Sequence, residues 1–161
     1  RDDLVTGVQT CALPIYDFVE LAFEIFFDLR QQVTLYPHVK DFLAAASAKL
    51  PLGILTNGNA DVEKIGIDKF FKCHFTSLDV KSNKPSSKHF KKAVEFFNVL
   101  PEEILHVGDD KIADISGCIR AGLNPLWFNN KSNEWDLDLE EPPQISSWEN
   151  ALEYIGQNYE F

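Results

Sequence analysis

Apolar residues recur along the chain with spacings that alternate between helical and strand-like periods. Helical periodicity covers three segments, residues 16–30, 37–50 and 86–98. Short apolar runs typical of strands are PLGILTN, EILHVG and NPLWF, with HFTSLDV and ISS as weaker candidates. Shorter helices are expected after Gly58, from Asp109 to a Gly122 cap, and from a Ser147 cap to Ile155.

Strands that alternate with helices predict an α/β fold, a Rossmann-like parallel sheet with helices on both faces. In such sheets, ligands bind beyond the carboxyl ends of the strands. Thr56 and Asn57 follow one predicted strand, and Asp109 and Asp110 follow another. We therefore expect a functional site at this edge of the sheet.

Two motifs at this edge suit phosphate. In ILTNGN, the Thr56 hydroxyl and the backbone N–H groups of Asn57 and Gly58 precede a helix, an arrangement that can cradle phosphate oxygens. An ordinary Asn-Gly turn is the alternative. In NKP, Lys84 precedes a helix that begins near Pro85 and could neutralise phosphate or carboxylate charge, although most loop lysines are simply solvated.

The stretch GDDKIAD predicts a cation site. Crowded carboxylates beside a phosphate cradle suit Mg²⁺, which takes one or two carboxylates and keeps several waters. The metal site is assigned to Asp109, Asp110 and Asp114: Asp109 is the direct ligand, and the other two hold metal-bound water or Lys84. Helix capping is an equally open role for Asp110. His106, inside a predicted strand, is expected to be a packed side chain.

Composition narrows the class of protein. The 161 residues are 45% hydrophobic, enough for one globular domain with a sizeable core. A formal charge of -10 argues against nucleic-acid or anionic-membrane partners. The three scattered cysteines form neither a disulfide framework nor a zinc pattern, so a reducing, cytoplasmic setting is expected. The sequence leaves the oligomeric state undetermined.

The first fifteen residues, RDDLVTGVQTCALPI, differ in character from the rest. Two early acids and the lack of a long apolar core exclude a signal peptide. DNA that encodes VTGVQTCALPI resembles a common sequencing-library adapter. Residues 1–15 are therefore interpreted as a translated, non-native scar, and the protein as truncated at its N-terminus.

In order and spacing, these motifs resemble those of the haloacid dehalogenase superfamily of phosphohydrolases. ILTNGN resembles its second motif, Lys84 its third, and HVGDDKIADISGCIRAG its fourth, with Asp109 and Asp114 as the acidic pair. TNGNADVEKIGIDKFF and the fourth motif are also similar to bacterial phosphatases of 5-amino-6-(5-phospho-D-ribitylamino)uracil, a riboflavin precursor. The resemblance implies a Mg²⁺-dependent phosphatase that acts on a small phosphorylated metabolite through an aspartyl-phosphate, with Thr56 and Lys84 as catalytic residues.

The chain departs from that pattern at one point. The superfamily begins with an apolar strand that ends in Asp-x-Asp-x-Thr and supplies the nucleophile, and this sequence has no such element. DLDLE, residues 136–140, has the Asp-x-Asp spacing, but it follows the fourth motif and is interpreted as a solvated loop. The resemblance implies that the absent strand is central, between those carrying Thr56 and Asp109, so the chain is expected to be inactive and poorly folded.

The resulting domain assignment has three parts. Residues 1–15 are the scar, residues 16–33 are the end of a helical cap that is otherwise missing, and residues 34–161 are the hydrolase core. Two other functions stay open, a non-catalytic phosphate- or Mg²⁺-binding module and a receiver-like signalling domain. A receiver would carry its phosphoacceptor aspartate at the end of a middle strand, and none is found.

Overall fold

The computed structural model describes residues 13–58 and 60–159, with side chains from residue 18 onward. The chain divides into two compact units between Thr34 and Leu35. Most of the expected scar lies outside the described residues, and the three-part domain assignment stays a prediction. The first unit contains helix α1 (Leu13–Gln31), which confirms the helix expected from the apolar period. Most of its apolar side chains are exposed, among them Phe18, Leu21, Ile25, Phe26 and Leu29.

The second unit alternates helices and strands, as the sequence predicts. Its helices are α2 (Val39–Ser47), α3 (Val62–Ile65), α4 (Ser77–Val80), α5 (Ser87–Phe97), α6 (Gly117–Ala121) and α7 (Ala151–Asn158). Its strands are β1 (Gly53–Thr56), β2 (Cys73–Thr76), β3 (Leu105–Gly108), β4 (Asn124–Phe128) and β5 (Gln144–Ile145). Two 3₁₀ turns (Asp68–Phe70 and Pro101–Glu103) and a π-helical segment (Lys111–Ser116) complete it. No helix in the described part of the chain is both long and apolar enough to cross a membrane.

All strand pairs are parallel, which confirms the α/β class. β1 pairs with β2, so that Thr56 lies opposite Thr76. β3 pairs with β4, and β4 pairs with β5. Among the described residues no ladder joins β1 to β3, so the strands form a two-stranded and a three-stranded sheet. The gap falls between the strands that carry the second and fourth motifs.

Two apolar clusters fill the second unit. One joins β4, β5 and α7 through Leu126, Phe128, Ile145, Ala151 and Ile155. The other packs α5 against α6 through Phe90, Cys118 and Leu123. The apolar periodicity of α2 and α5 corresponds to one buried face on each helix, formed by Leu43 and Ala46 in α2 and by Phe90 and Ala93 in α5.

Local hydrogen bonding corrects two element boundaries. HFTSLDV is a strand only as far as Thr76, because the Thr76 hydroxyl and Asp79 form a capping box that starts α4. The last helix begins at Ala151 rather than at a Ser147 cap. The Ser147 hydroxyl instead accepts a hydrogen bond from the Glu149 N–H group at 3.2 Å, within the preceding turn.

Candidate active site

Lys84 connects the two sheets at the carboxyl ends of their strands. Its Nζ donates to the Leu55 carbonyl of β1 at 2.7 Å and to Asp114 Oδ1, just beyond β3, at 2.5 Å. Only 9% of its side chain is exposed, so this is a buried ion pair rather than a solvated lysine. An ammonium group has three protons, and these two contacts leave one for a ligand.

Asn57 fixes the backbone at Lys84. Its side-chain amide donates to the Lys84 carbonyl at 3.0 Å, and its Oδ1 accepts from the Lys84 N–H group at 2.6 Å. The Ser77 hydroxyl in turn donates to the Asn57 carbonyl at 3.1 Å. The second motif therefore positions the third. Sequence reasoning missed this clamp, because nothing in the sequence pairs Asn57 with a loop 27 residues away.

The Thr56 hydroxyl lies at the carboxyl end of β1 with its proton available. Its Oγ1 accepts a hydrogen bond from the Gly58 N–H group at 2.9 Å. A hydroxyl that already accepts one hydrogen bond can still donate its own proton. The turn thus presents a hydroxyl donor at the strand end, and its role in phosphate binding stays a prediction.

Asp114 is a buried acceptor that collects several donors. Besides Lys84, His106 Nε2 lies 3.4 Å from Oδ1, and the Asp110 N–H group donates to Oδ2 at 3.2 Å. Burial opposes ionisation, but the hydrogen bonds and charges of His106 and Lys84 hold the pKa of the Asp114 carboxyl well below its usual range. Asp114 is therefore an ionised anchor for Lys84.

Gly108 makes room for this anchor. A Cβ atom at position 108 would lie 2.4 Å from Cβ and Cγ of Asp114. The carboxylate can reach Lys84 only because the strand carries no side chain there. Glycine is required at this position by the close approach between β3 and the π-helical segment.

His106 was expected to be a packed side chain, and that is part of its role. Its ring contacts Phe90 edge to face, with 5.2 Å between ring centroids. The same ring approaches Asp114, so His106 also belongs to the site. A lone histidine in a strand gives no sequence signal for a contact with Asp114. That residue lies in the π-helical segment and comes near His106 only in the folded chain.

The acidic residues predicted to bind metal do not form one cluster. Asp110 Oδ1 accepts from the Ile112 and Ala113 N–H groups at 2.8 and 2.7 Å, which is the capping alternative. Asp109 has an exposed side chain, while its carbonyl accepts from the Trp127 indole at 3.1 Å. Within the described residues, no three His, Cys, Asp or Glu side chains could together hold a metal ion. The donor set fits an ion bound by Asp109 and completed by waters and phosphate, the pattern that Mg²⁺ prefers.

The DLDLE segment lies in a loop after β4, as expected. Asp136 is 70% exposed and forms an ion pair with Lys111 Nζ. The Trp135 indole donates to the Leu139 carbonyl at 2.8 Å, which folds the loop back on itself. In the part of the chain that the structure describes, these carboxylates therefore lie in a loop and not at the end of a strand.

The ionised state of Asp114 predicts a pH dependence. Its folded pKa is depressed, so it stabilises the fold above its unfolded pKa of about 3.9 and loses that contribution as the pH falls. We expect Asp114→Asn to flatten the loss of stability between about pH 5 and pH 2, measured by urea unfolding across that range. Asp136→Asn is the matched control. The hydrogen bond from Lys111 also lowers the pKa of Asp136, but this carboxyl group is mostly exposed and should change the profile little. Equal profiles for both variants would contradict the anchoring role.

Comparison with known proteins gives the same assignment as the motifs. A sequence profile described as haloacid dehalogenase-like hydrolase matches residues 9–128. The 5-amino-6-(5-phospho-D-ribitylamino)uracil phosphatase YigB of Escherichia coli K12 is 33% identical over 121 residues, 73% of this chain and 51% of that protein. A phosphoserine phosphatase of Thermus thermophilus is 37% identical over 116 residues, 68% of this chain and 46% of that protein.

A solved structure extends the agreement to the fold. The 2-haloacid dehalogenase of Pseudomonas syringae pv. Tomato DC3000 superposes with a TM-score of 0.83 at 30% identity, covering 88% of this chain and 61% of that one. The chain spans about half the length of the curated relatives that it matches. The profile matches most of the chain, the fold agrees, and Lys84 links the second, third and fourth motifs in the structure. The chain therefore belongs to the haloacid dehalogenase-like hydrolase family.

Proposed function

We propose that this chain is the phosphate- and metal-binding part of a Mg²⁺-dependent phosphatase that acts on a small phosphorylated metabolite. The observation that carries the proposal is the position of Lys84. It holds the end of β1 and the segment after β3 together and retains one donor. The Thr56 hydroxyl, the Lys84 ammonium group and the exposed Asp109 carboxylate therefore lie at the carboxyl ends of parallel strands. This is the edge of the sheet where α/β enzymes bind ligands.

Each residue has a distinct role in this proposal. The Thr56 hydroxyl and the backbone N–H group of Asn57 bind phosphoryl oxygens, and Lys84 offsets their charge. The Gly58 N–H group, predicted from the sequence to bind phosphate, instead donates to the Thr56 hydroxyl and orients it. Asp114, with His106, keeps Lys84 in place. Such preorganised donors stabilise charge that develops in a transition state without reorganisation during the reaction.

Asp109 is the proposed metal ligand. Its carboxylate is exposed and makes no ion pair or hydrogen bond with the described residues, while the Trp127 indole holds its backbone. Mg²⁺ bound there would neutralise phosphate charge. Asp110 supports the site by capping the π-helical segment, and Asp114 by holding Lys84 rather than the metal.

The sequence similarity suggests a substrate to test first. We propose 5-amino-6-(5-phospho-D-ribitylamino)uracil, the compound for which the E. coli relative is named. The other reported relative is named for phosphoserine, so both compounds belong in the same panel. A riboflavin-pathway role rests on this likeness alone.

The test uses an extended chain. It consists of the strand with the Asp-x-Asp-x-Thr element and the cap, both taken from the E. coli relative, followed by residues 16–161 of this chain. We expect it to hydrolyse p-nitrophenyl phosphate and at least one panel substrate in the presence of Mg²⁺, and to lose activity with EDTA. The 161-residue chain alone should be inactive. Phosphatase activity of the short chain equal to that of the extended chain would contradict the proposed absence of the nucleophile.

Variants of the extended chain separate the metal ligand from its neighbour. We expect Asp109→Asn to lower kcat/KM at least about 100-fold, comparable with the loss of one oxyanion donor, because a charged ligand is removed. Asp110→Asn is the matched control and should cost much less, since asparagine still caps a helix. Similar activity of both variants across a Mg²⁺ titration would refute the assignment of Asp109.

A second candidate reaction is carbon–halogen cleavage, favoured by the similarity to the Pseudomonas dehalogenase structure. The family resemblance weighs against it, because dehalogenases of this fold usually lack a GDD-type acidic motif and need no metal. Chloride release from 2-chloropropionate by the extended chain decides between the two. The binding-module and receiver-like alternatives predict no turnover in either assay.

A further inference from the structure

Two tryptophans are linked to the backbone of Asp109, the proposed metal ligand. Trp127, on β4, is fully buried, and its indole N–H group donates to the Asp109 carbonyl at 3.1 Å. Its register partner across the β3–β4 ladder is Gly108, the last residue of β3. The π-helical segment begins at Lys111. Asp109 therefore lies between the strand and the π-helical segment, and the indole fixes its peptide there.

Trp135 supports Trp127 from the loop that follows β4. The two rings contact edge to face, with 5.5 Å between their centroids. The Trp135 indole N–H group donates to the Leu139 carbonyl at 2.8 Å, which fixes this ring within its own loop. Edge-to-face contact is a preferred arrangement of aromatic pairs. Trp135 therefore restricts the ring that holds Asp109.

The same loop also contacts the chain on the other side of Asp109. Lys111, two residues further along, donates to the Glu134 carbonyl at 3.0 Å and forms an ion pair with Asp136. These two partners are the sequence neighbours of Trp135. The loop thus reaches both the buried indole and the start of the π-helical segment, so it restrains the backbone before and after the proposed ligand.

We propose that Trp127 and Trp135 are positioning residues, which hold Asp109 in the geometry that binds a divalent cation. This inference rests on the proposed function, in which Asp109 is the metal ligand. The Asp109 carboxylate is exposed, so its direction depends on the backbone that carries it. Mg²⁺ demands a nearly ideal octahedral arrangement of oxygens. A ligand whose backbone is already fixed loses less conformational freedom when the cation binds.

A purely structural role for the two tryptophans makes a different prediction. A buried indole usually finds a hydrogen-bond partner, and a buried aromatic pair stabilises the fold whichever carbonyl accepts the bond. Loss of such a pair would lower the stability of the fold without a specific effect on cation binding. The positioning role instead predicts weaker cation binding in a folded protein, with activity that is recovered when the cation is saturating.

The experiment titrates the extended chain with MgCl₂ in the absence of substrate, by isothermal titration calorimetry. We expect Trp135→Ala to raise the dissociation constant for Mg²⁺ about tenfold, the lower end of the effect of residues that support metal ligands. Its loss of p-nitrophenyl phosphate hydrolysis at low Mg²⁺ should be recovered at saturating Mg²⁺. Trp135→Phe keeps an aromatic ring against Trp127 and should restore most of the affinity.

Two further variants complete the series. Leu137→Ala is the matched control, because Leu137 is a half-buried apolar residue of the same loop, and it should change Mg²⁺ affinity little. Trp127→Phe removes the donor to Asp109 and should weaken Mg²⁺ binding at least as much as Trp135→Ala does. Circular dichroism establishes that each variant is folded. If Trp135→Ala does not fold, the contrast between Trp127→Phe and Trp135→Phe decides the outcome.

Asp109→Asn separates failure of this inference from failure of the proposed function. If Asp109→Asn abolishes Mg²⁺ binding while Trp127→Phe and Trp135→Ala bind as tightly as the extended chain, the metal ligand stands and the positioning role is refuted. An equal loss of affinity in Leu137→Ala, or a loss of kcat that saturating Mg²⁺ does not recover, would also refute it. Unchanged Mg²⁺ binding by Asp109→Asn would refute the metal ligand itself, and this inference with it.

Discussion

Replacing Gly108 with alanine is expected to lower the free energy of unfolding of the extended chain by about 3 kcal/mol or more. The new Cβ would lie 2.4 Å from two carbon atoms of Asp114, far inside contact distance. Either β3 or the π-helical segment must move. The movement separates Asp114 from Lys84 and leaves both charges without their partner. Urea unfolding at neutral pH measures the loss.

Gly156→Ala is the control for this substitution. Gly156 lies within α7, and a Cβ atom there meets no atom within 4 Å. Alanine has the higher helix propensity, so the variant should be unchanged or more stable by up to about 1 kcal/mol. Equal stabilities of the two variants would show that β3 tolerates a side chain at position 108, contrary to the close approach described above.

The second large effect is expected for Lys84→Met, which should destabilise the extended chain by about 3–5 kcal/mol at neutral pH. Methionine keeps much of the apolar stem but removes the charge. Asp114 is then left buried with only the His106 contact and the Asp110 N–H hydrogen bond, and the Leu55 carbonyl loses its donor. The loss should shrink as the pH falls, because a protonated Asp114 no longer needs a cation.

Lys111→Met provides the comparison. Lys111 also pairs with an aspartate, but Asp136 is 70% exposed, and exposed ion pairs contribute about 1 kcal/mol or less. Denaturant unfolding of both variants at pH 7 and pH 3 separates a buried anchor from a surface pair. A Lys84→Met cost that is as small as that of Lys111→Met, or that does not depend on pH, would contradict the anchoring role.

Local patterns in the sequence were sufficient for much of this description. Apolar periodicity predicts α1, α2 and α5, because each helix has a row of apolar positions whatever its partner. The short apolar runs around Leu55, Val107 and Leu126 are typical of buried strands and predict β1, β3 and β4. The motif residues Thr56, Lys84 and Asp109 were recognised because their types and order along the chain are themselves the signal.

Tertiary structure decided how those residues act. Asn57 holds the backbone of Lys84, Asp114 holds its side chain, and His106 joins them, through contacts that span between 8 and 30 residues of sequence. Whether Asp110 caps a helix or binds a metal also depended on the π-helical turn that follows it. Periodicity reports which face of an element is apolar, whereas pairing between distant residues depends on where the elements lie.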